Sequence, residues 1–301
     1  PDDDLDEEQN PDRPGVVIPR RKPIPPEAPK PPELPENPID DGKDSGGKVP
    51  ENSLIGPFYA YQSYGYYHPL KGVKRGGLQN PSNLFQMVEN IKKENLTNQF
   101  LVRSKSPTRV RSYGNFATME FLLKSSYWVN KLRPGLSLEV NDISAQRGGH
   151  LGNHASHQNG LDMDVGYFFE GINENYYGRS ALKGKGFDPK FDRALLWNYL
   201  KTMMTYYHDQ VYMIFVHSSI KKAMCAEAKR VGDLGTSDKG TDPIVLNALR
   251  RLYPESGHHN HFHVRLRCPK WDDKKGKVNC VNPKSDLLEV TGCWGGAKGK
   301  R

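Results

Sequence analysis

The sequence predicts an α+β fold in which helices flank a central antiparallel sheet. Three observations carry this. Helical and alternating apolar patterns both occur, without strict β-α-β order. Two alternating segments, 161–165 and 261–267, read as half-buried strands of the hairpin-like kind. The chain has 301 residues, 36% hydrophobic and 26% charged, enough for one large domain plus a tail.

The elements follow in chain order. Residues 1–50 hold 13 of the 23 prolines and no aromatic residue. Pro23 to Pro38 favours polyproline II and forms no core, so 1–50 is expected to be a disordered or extended acidic linker. The domain then runs from 51 to 301. Tyr59, Tyr61, Tyr64, Tyr66 and Tyr67 make an aromatic-rich stretch, read as packing, with stacking on sugars as the sharper alternative. Asn115 to Leu132 reads as a helix that Pro134-Gly135 stops. Leu136 to Ile143 reads as a strand. Lys190 to Tyr207 is an expected helix and Val211 to Val216 a continuous apolar strand. Ser218 is expected to cap a helix through Lys229, and Thr241 to Leu252 to form another.

Charge divides the chain. Residues 1–50 carry 13 acidic and 7 basic side chains, while the whole chain is +8, so 51–301 carries +14. A basic domain attracts polyanions. Nucleic acid is the generic candidate; a cell-wall polymer with peptide carboxylates and anionic decorations is the other, and the histidine motifs below favour it, so peptidoglycan rather than nucleic acid is the expected partner. The sequence contains no apolar run of about 20 residues that would span a membrane. It starts with Pro1, not Met, which reads as a leader removed or left out.

Seven of the ten histidines sit in two stretches, His150 to His157 and His258 to His263. Neutral imidazole is the commonest protein metal ligand, and three N/O ligands around an open position build a catalytic zinc site. The leading reading is therefore a zinc hydrolase. In 261–267 the odd positions are His261, His263, Arg265 and Arg267, and the even ones Phe262, Val264 and Leu266. One strand face thus carries both imidazoles. Leu161, Met163 and Val165 alternate with Asp162 and Asp164 in the same way. A helical reading of His150 and His154 is opposed by Gly148, Gly149 and Gly152.

His157 and Asp164 match the HxxxxxxD motif, and His261-Phe262-His263 the HxH motif, of the zinc peptidases that include lysostaphin, D-Ala-D-Ala peptidases and the hedgehog domain. With their flanks, 154–165 and 261–269, they resemble the penicillin-insensitive murein endopeptidases, over roughly Ser53 to Cys293. The resemblance implies the sheet of that group. It implies that His157, Asp164 and His263 bind Zn²⁺ with water in the fourth position, and that His261 and His258 serve as base or oxyanion donor. His154 matches an active-site position and either joins the chemistry or orients a neighbour. Asp162 reads as an orienting group rather than a ligand. Arg265 and Arg267 read as solvated strand residues ahead of carboxylate forks. His150 and His259 read as solvated, and His68, His208 and His217 as structural.

The four cysteines form no CxxC pair, so a cysteine zinc site is poorly supported, and three pairings are possible. The resemblance implies Cys268 with Cys280 and Cys225 with Cys293. An even count in a wall-directed enzyme suits an oxidising compartment, the periplasm or cell envelope. The expected activity is a D,D-endopeptidase on peptidoglycan cross-links, at the D-alanyl to meso-diaminopimelate bond. The alternatives are a zinc-containing wall-binding module without catalysis and a D,D- or L,D-carboxypeptidase.

Overall fold

The computed structural model describes residues 54–55, 63–66, 77–78, 81–104, 109–152, 154, 156–171, 178–268, 280–281 and 293. The expected linker 1–50 and His68 lie outside the described residues. So do the side chains of the tyrosine stretch, although Ser63–Tyr66 forms a short strand.

Five helices and a six-stranded sheet organise the rest, as an α+β fold. The strands are β1 (Val102–Ser104), β2 (Leu138–Val140), β3 (Asp162–Gly166), β4 (Val211–Val216), β5 (Leu252–Pro254) and β6 (His261–Leu266). Their order across the sheet is β5-β4-β6-β3-β2-β1. The last of these six strands in chain order thus lies between two that precede it. The helices are α1 (Leu84–Lys93), α2 (Phe116–Leu132), α3 (Arg193–Tyr207), α4 (Ser218–Arg230) and α5 (Pro243–Arg251).

The expected antiparallel sheet holds only at the centre. Along β4, β6, β3 and β2 each strand is antiparallel to its neighbour, but β1 and β2, and likewise β4 and β5, pair in parallel. The reason lies in the connections. α2 links β1 to β2, and α4 with α5 links β4 to β5. A helical crossover returns the chain in its original direction, which a tight turn does not do.

Register decides the faces. Val264 lies opposite Met163 on β3 and Ile214 on β4. Phe262, Val264 and Leu266 are buried on the helix-covered face, where the Phe262 ring meets Tyr199 of α3 at 5.8 Å and Tyr167 at 5.7 Å. Behind them α2 and α3 pack through Trp128, which stacks on Tyr206 at 4.7 Å and donates its indole N–H to the Tyr207 hydroxyl at 3.2 Å. On the opposite face His263 lies across from Asp164 and Phe215, and Arg265 across from Asp162 and Met213. Directly opposed residues share a sheet face, so the two histidine-rich segments meet.

Local signals explain most boundaries. Asn115 caps α2 by accepting the Thr118 N–H at 2.8 Å, and Asp192 caps α3 through Leu195. α4 begins where expected, but its cap is His217, whose Nδ1 accepts from Ser219 N at 3.2 Å. β2 is shorter than expected because Ile143 N turns to Arg111 O at 2.8 Å. α1 was not anticipated. It buries Leu84, Met87 and Ile91 on one stripe and is capped by Asn83.

Candidate metal centre

The centre of the site is one carboxylate oxygen. Asp164 Oδ1 lies 3.2 Å from His157 Nε2, 3.4 Å from His263 Nδ1 and 3.6 Å from His261 Nε2. The ligand atoms of His154, His157 and Asp164 lie within 4.8 Å of one another. His157, Asp164 and His263 form a buried floor, while His154, His258 and His261 are partly exposed around it.

Each of these histidines has one ring nitrogen held by an oxygen acceptor. His157 Nδ1 meets Ile143 O at 2.8 Å, and His154 Nε2 meets Asp142 Oδ2 at 2.9 Å. His263 Nε2 meets Asp162 Oδ1 at 2.7 Å. His261 Nδ1 meets Asn260 Oδ1 at 2.7 Å, and His258 Nδ1 meets Ser256 O at 2.8 Å. An acceptor at one nitrogen places the N–H there and leaves a lone pair on the other. Metal-binding imidazoles are oriented by outer oxygens in the same manner.

This donor set fits a small divalent cation. Ligand atoms at zinc distances in a tetrahedral arrangement are roughly 3.3 Å apart, which is the spacing found around Asp164 Oδ1. That oxygen and His157 Nε2 are buried, yet neither makes an aligned hydrogen bond. Two buried lone-pair atoms facing each other without bonding are costly unless a further partner, such as a cation, satisfies both.

Local backbone supports the arrangement. His157 has φ of 60°, a left-handed conformation that costs a residue with a Cβ about 1–2 kcal/mol. The peptides of 141–143 brace the hub, since Asn141 N donates to Asp164 O at 2.9 Å and Asp164 N to Asp142 O at 3.0 Å. His258 is fixed by its own carbonyl, which accepts the Tyr167 hydroxyl at 3.0 Å and His217 N at 3.1 Å.

Electrostatics follow from these contacts. Burial opposes charge on His157, but the facing Asp164 carboxylate outweighs it and pushes the pKa up to about 9. Burial and the neighbouring His157 push His263 down to about 4. Burial likewise lowers His261, with His258, His157 and His154 adding to the effect. Burial would raise Asp164 and Asp162. The imidazoles around Asp164, and Arg265 beside Asp162, instead hold both well below the usual carboxylate range. Without a cation these contacts favour an imidazolium on His157 and a neutral ring on His263 near neutral pH.

The structure brings together all the residues singled out in the two motifs and corrects one reading. Arg265 is not solvated: it is 2% exposed, its Nε donates to Asp162 Oδ1 at 2.7 Å, and its guanidinium lies 4.8 Å from the Phe215 ring centre. Asp162 is thus shared between His263 and Arg265. His150 and His259 are exposed, as expected. Cys225 and Cys293 come together with Cα atoms 5.0 Å apart. The Cys280 side chain lies outside the described residues, and with it the expected Cys268–Cys280 pair. Sequence reasoning missed Asp142, Phe215 and Asn260. Asn260 had a signal, standing directly before the HxH motif. Asp142 and Phe215 had none, because only folding carries them to the histidines.

A model of the penicillin-insensitive murein endopeptidases matches residues 96–186 and 197–296, more than half the chain. The chain belongs to the penicillin-insensitive murein endopeptidase family. Curated proteins bearing that name are similar to it. The one from Yersinia enterocolitica serotype O:8 / biotype 1B is 29% identical over 174 residues, 54% of this chain and 56% of the relative. The one from Pectobacterium atrosepticum is 30% identical over 170 residues, 53% and 54% of the two chains. An Escherichia coli protein is 30% identical over 168 residues, 53% and 55%. The chain spans about half the length of the curated relatives it matches. Both matched segments of the murein endopeptidase model contain site residues, His154, His157 and Asp164 in the first and His258, His261 and His263 in the second. No described helix is long and apolar enough to cross a membrane.

Proposed function

We propose that this chain is a zinc-dependent D,D-endopeptidase that hydrolyses peptide cross-links of peptidoglycan, at the D-alanyl to meso-diaminopimelate bond. The observation that carries the reading is the convergence of three imidazole nitrogens on Asp164 Oδ1, each ring oriented by an outer oxygen. The sheet is read as that of the lysostaphin, D-Ala-D-Ala peptidase and hedgehog group.

His157, Asp164 and His263 would hold the ion. Bound zinc supplies a water with a pKa of about 7 and a Lewis acid for the scissile carbonyl. His261 is kept neutral by burial and presents its Nε2 lone pair toward the floor, so it is placed to accept a proton. His258 Nε2, left with its lone pair by the bond from Nδ1 to Ser256 O, is available to share that role, and once it has taken a proton it can donate to a developing oxyanion. The names of the relatives and the basic charge of the domain support a wall polymer as substrate. A disulfide between Cys225 and Cys293 would suit the periplasm or envelope.

The test uses purified murein. Incubation is expected to convert cross-linked muropeptide dimers to monomers, to stop with a chelator and to resume with zinc. A zinc-replete sample that only sediments with the sacculus makes the chain a binding module. One that releases D-alanine from monomers and spares dimers makes it a carboxypeptidase.

The raised His157 pKa gives a second expectation. Coordination needs neutral imidazole, so zinc uptake at pH 7 must expel the His157 proton. Calorimetry in buffers of different ionisation heat should show about two protons released per ion near pH 8, one from His157 and one from the zinc-bound water. Affinity should accordingly rise from pH 6 to pH 9. A release of only about one proton at pH 8, the share of the zinc-bound water, would remove the imidazolium from His157.

A further inference from the structure

We propose that Asp142 is a positioning residue that aims the His154 ring at the cation site, with Arg111 holding the carboxylate in place; this rests on the metallopeptidase reading above. One oxygen, Asp142 Oδ2, receives both His154 Nε2 and Arg111 Nη1, each at 2.9 Å. The Asp142 side chain is 4% exposed, and its Oδ1 makes no hydrogen bond among the described residues. The grip therefore passes through Oδ2.

The chemistry of the grip is directional. An ionised carboxylate only accepts, so the His154 proton sits on Nε2 and the lone pair on Nδ1. His154 is partly exposed, with 29% of its side chain open to solvent, and without the carboxylate its ring is free to turn outward. The carboxylate itself is fixed relative to the hub, because Asp164 N donates to Asp142 O at 3.0 Å. The next residue, Ile143, orients His157 through its carbonyl at 2.8 Å. Two consecutive residues thus set two imidazoles whose rings lie 4.4 Å apart. The Arg111 guanidinium makes Asp142 unsuitable as a cation ligand itself and keeps it ionised for His154.

The test compares wild type with Asp142→Ala and Asp142→Asn in three readouts: competitive zinc titration against a chromophoric chelator, steady-state cleavage of muropeptide dimers, and thermal melting. Asp142→Ala should weaken zinc about ten- to a hundredfold, the usual cost of losing an outer partner, and lower kcat with KM nearly unchanged. Added formate, which refills the carboxylate position, should restore both. Asp142→Asn keeps an acceptor oxygen and should stay within about tenfold of wild type. Zinc affinity of Asp142→Ala within twofold of wild type overturns the proposal, whatever the activity. So does a loss that formate does not restore and that tracks a lowered melting temperature, since Asp142 is then only structural. If wild type itself takes up no zinc and spares dimers, the metallopeptidase reading falls, and the positioning role with it.

Discussion

His263→Ala is expected to abolish cross-link cleavage and to weaken zinc by more than ~100-fold, beyond the 10–100-fold that loss of an outer partner costs. His263 is buried, with Nδ1 3.4 Å from Asp164 Oδ1 and Nε2 tied to Asp162. Phe215 packs against it edge-on, with ring centres 5.0 Å apart. The comparison with His154→Ala is decisive, since His154 belongs to the other tight trio with His157 and Asp164. Metal analysis and dimer cleavage should show the larger loss for His263→Ala. Full zinc content and unchanged cleavage in His263→Ala would remove it from the ligand set and leave His154 in its place.

The second large effect is on the fold. Asp162→Ala removes the carboxylate that faces both Arg265 Nε and His263 Nε2 at 2.7 Å. Arg265 is 2% exposed and Asp162 is fully buried. Breaking a buried ion pair by deleting one partner costs about 3–5 kcal/mol. In a domain of this size that corresponds to a melting temperature lower by roughly 10 °C. Zinc affinity should fall as well, because the His263 ring loses its orienting oxygen. Thermal melts of the metal-free protein separate the two effects. A melting temperature within 2 °C of wild type would mean that Asp162 does not carry Arg265.

The site was largely legible because its chemistry is written in short strings. Asp162 with Asp164, and His261 with His263, sit two residues apart, a strand spacing that alone places each pair on one face; His157 precedes β3 and was marked by the HxxxxxxD spacing alone. The pairing of β3 with β6 then follows from both faces needing the same core, with Met163 opposite Val264. What was not legible depends on contacts between distant residues. Arg265 looks like any polar residue on an alternating strand, and its burial comes from Phe215 and Asp162, which no local pattern links to it. The parallel edges of the sheet were hidden for a related reason. Periodicity identifies strands and helices but not the direction in which a crossover returns the chain. α1 escaped notice because its buried stripe of Leu84, Met87 and Ile91 is only three residues long. His217 as a cap was masked by Ser218 beside it, a residue type far commoner in that place.

The position of β6 has a consequence for how the protein comes into being. It is the final strand to leave the ribosome among the six, yet it is inserted in the middle, between β4 and β3. Asp162 and His263, which bond across that seam, are 101 residues apart in sequence. A nascent chain ending before His261 lacks two of the imidazoles that meet Asp164, those of His261 and His263. Closing so distant a seam is slow compared with local helix formation. The slow seam is therefore also the one that completes the histidine cluster.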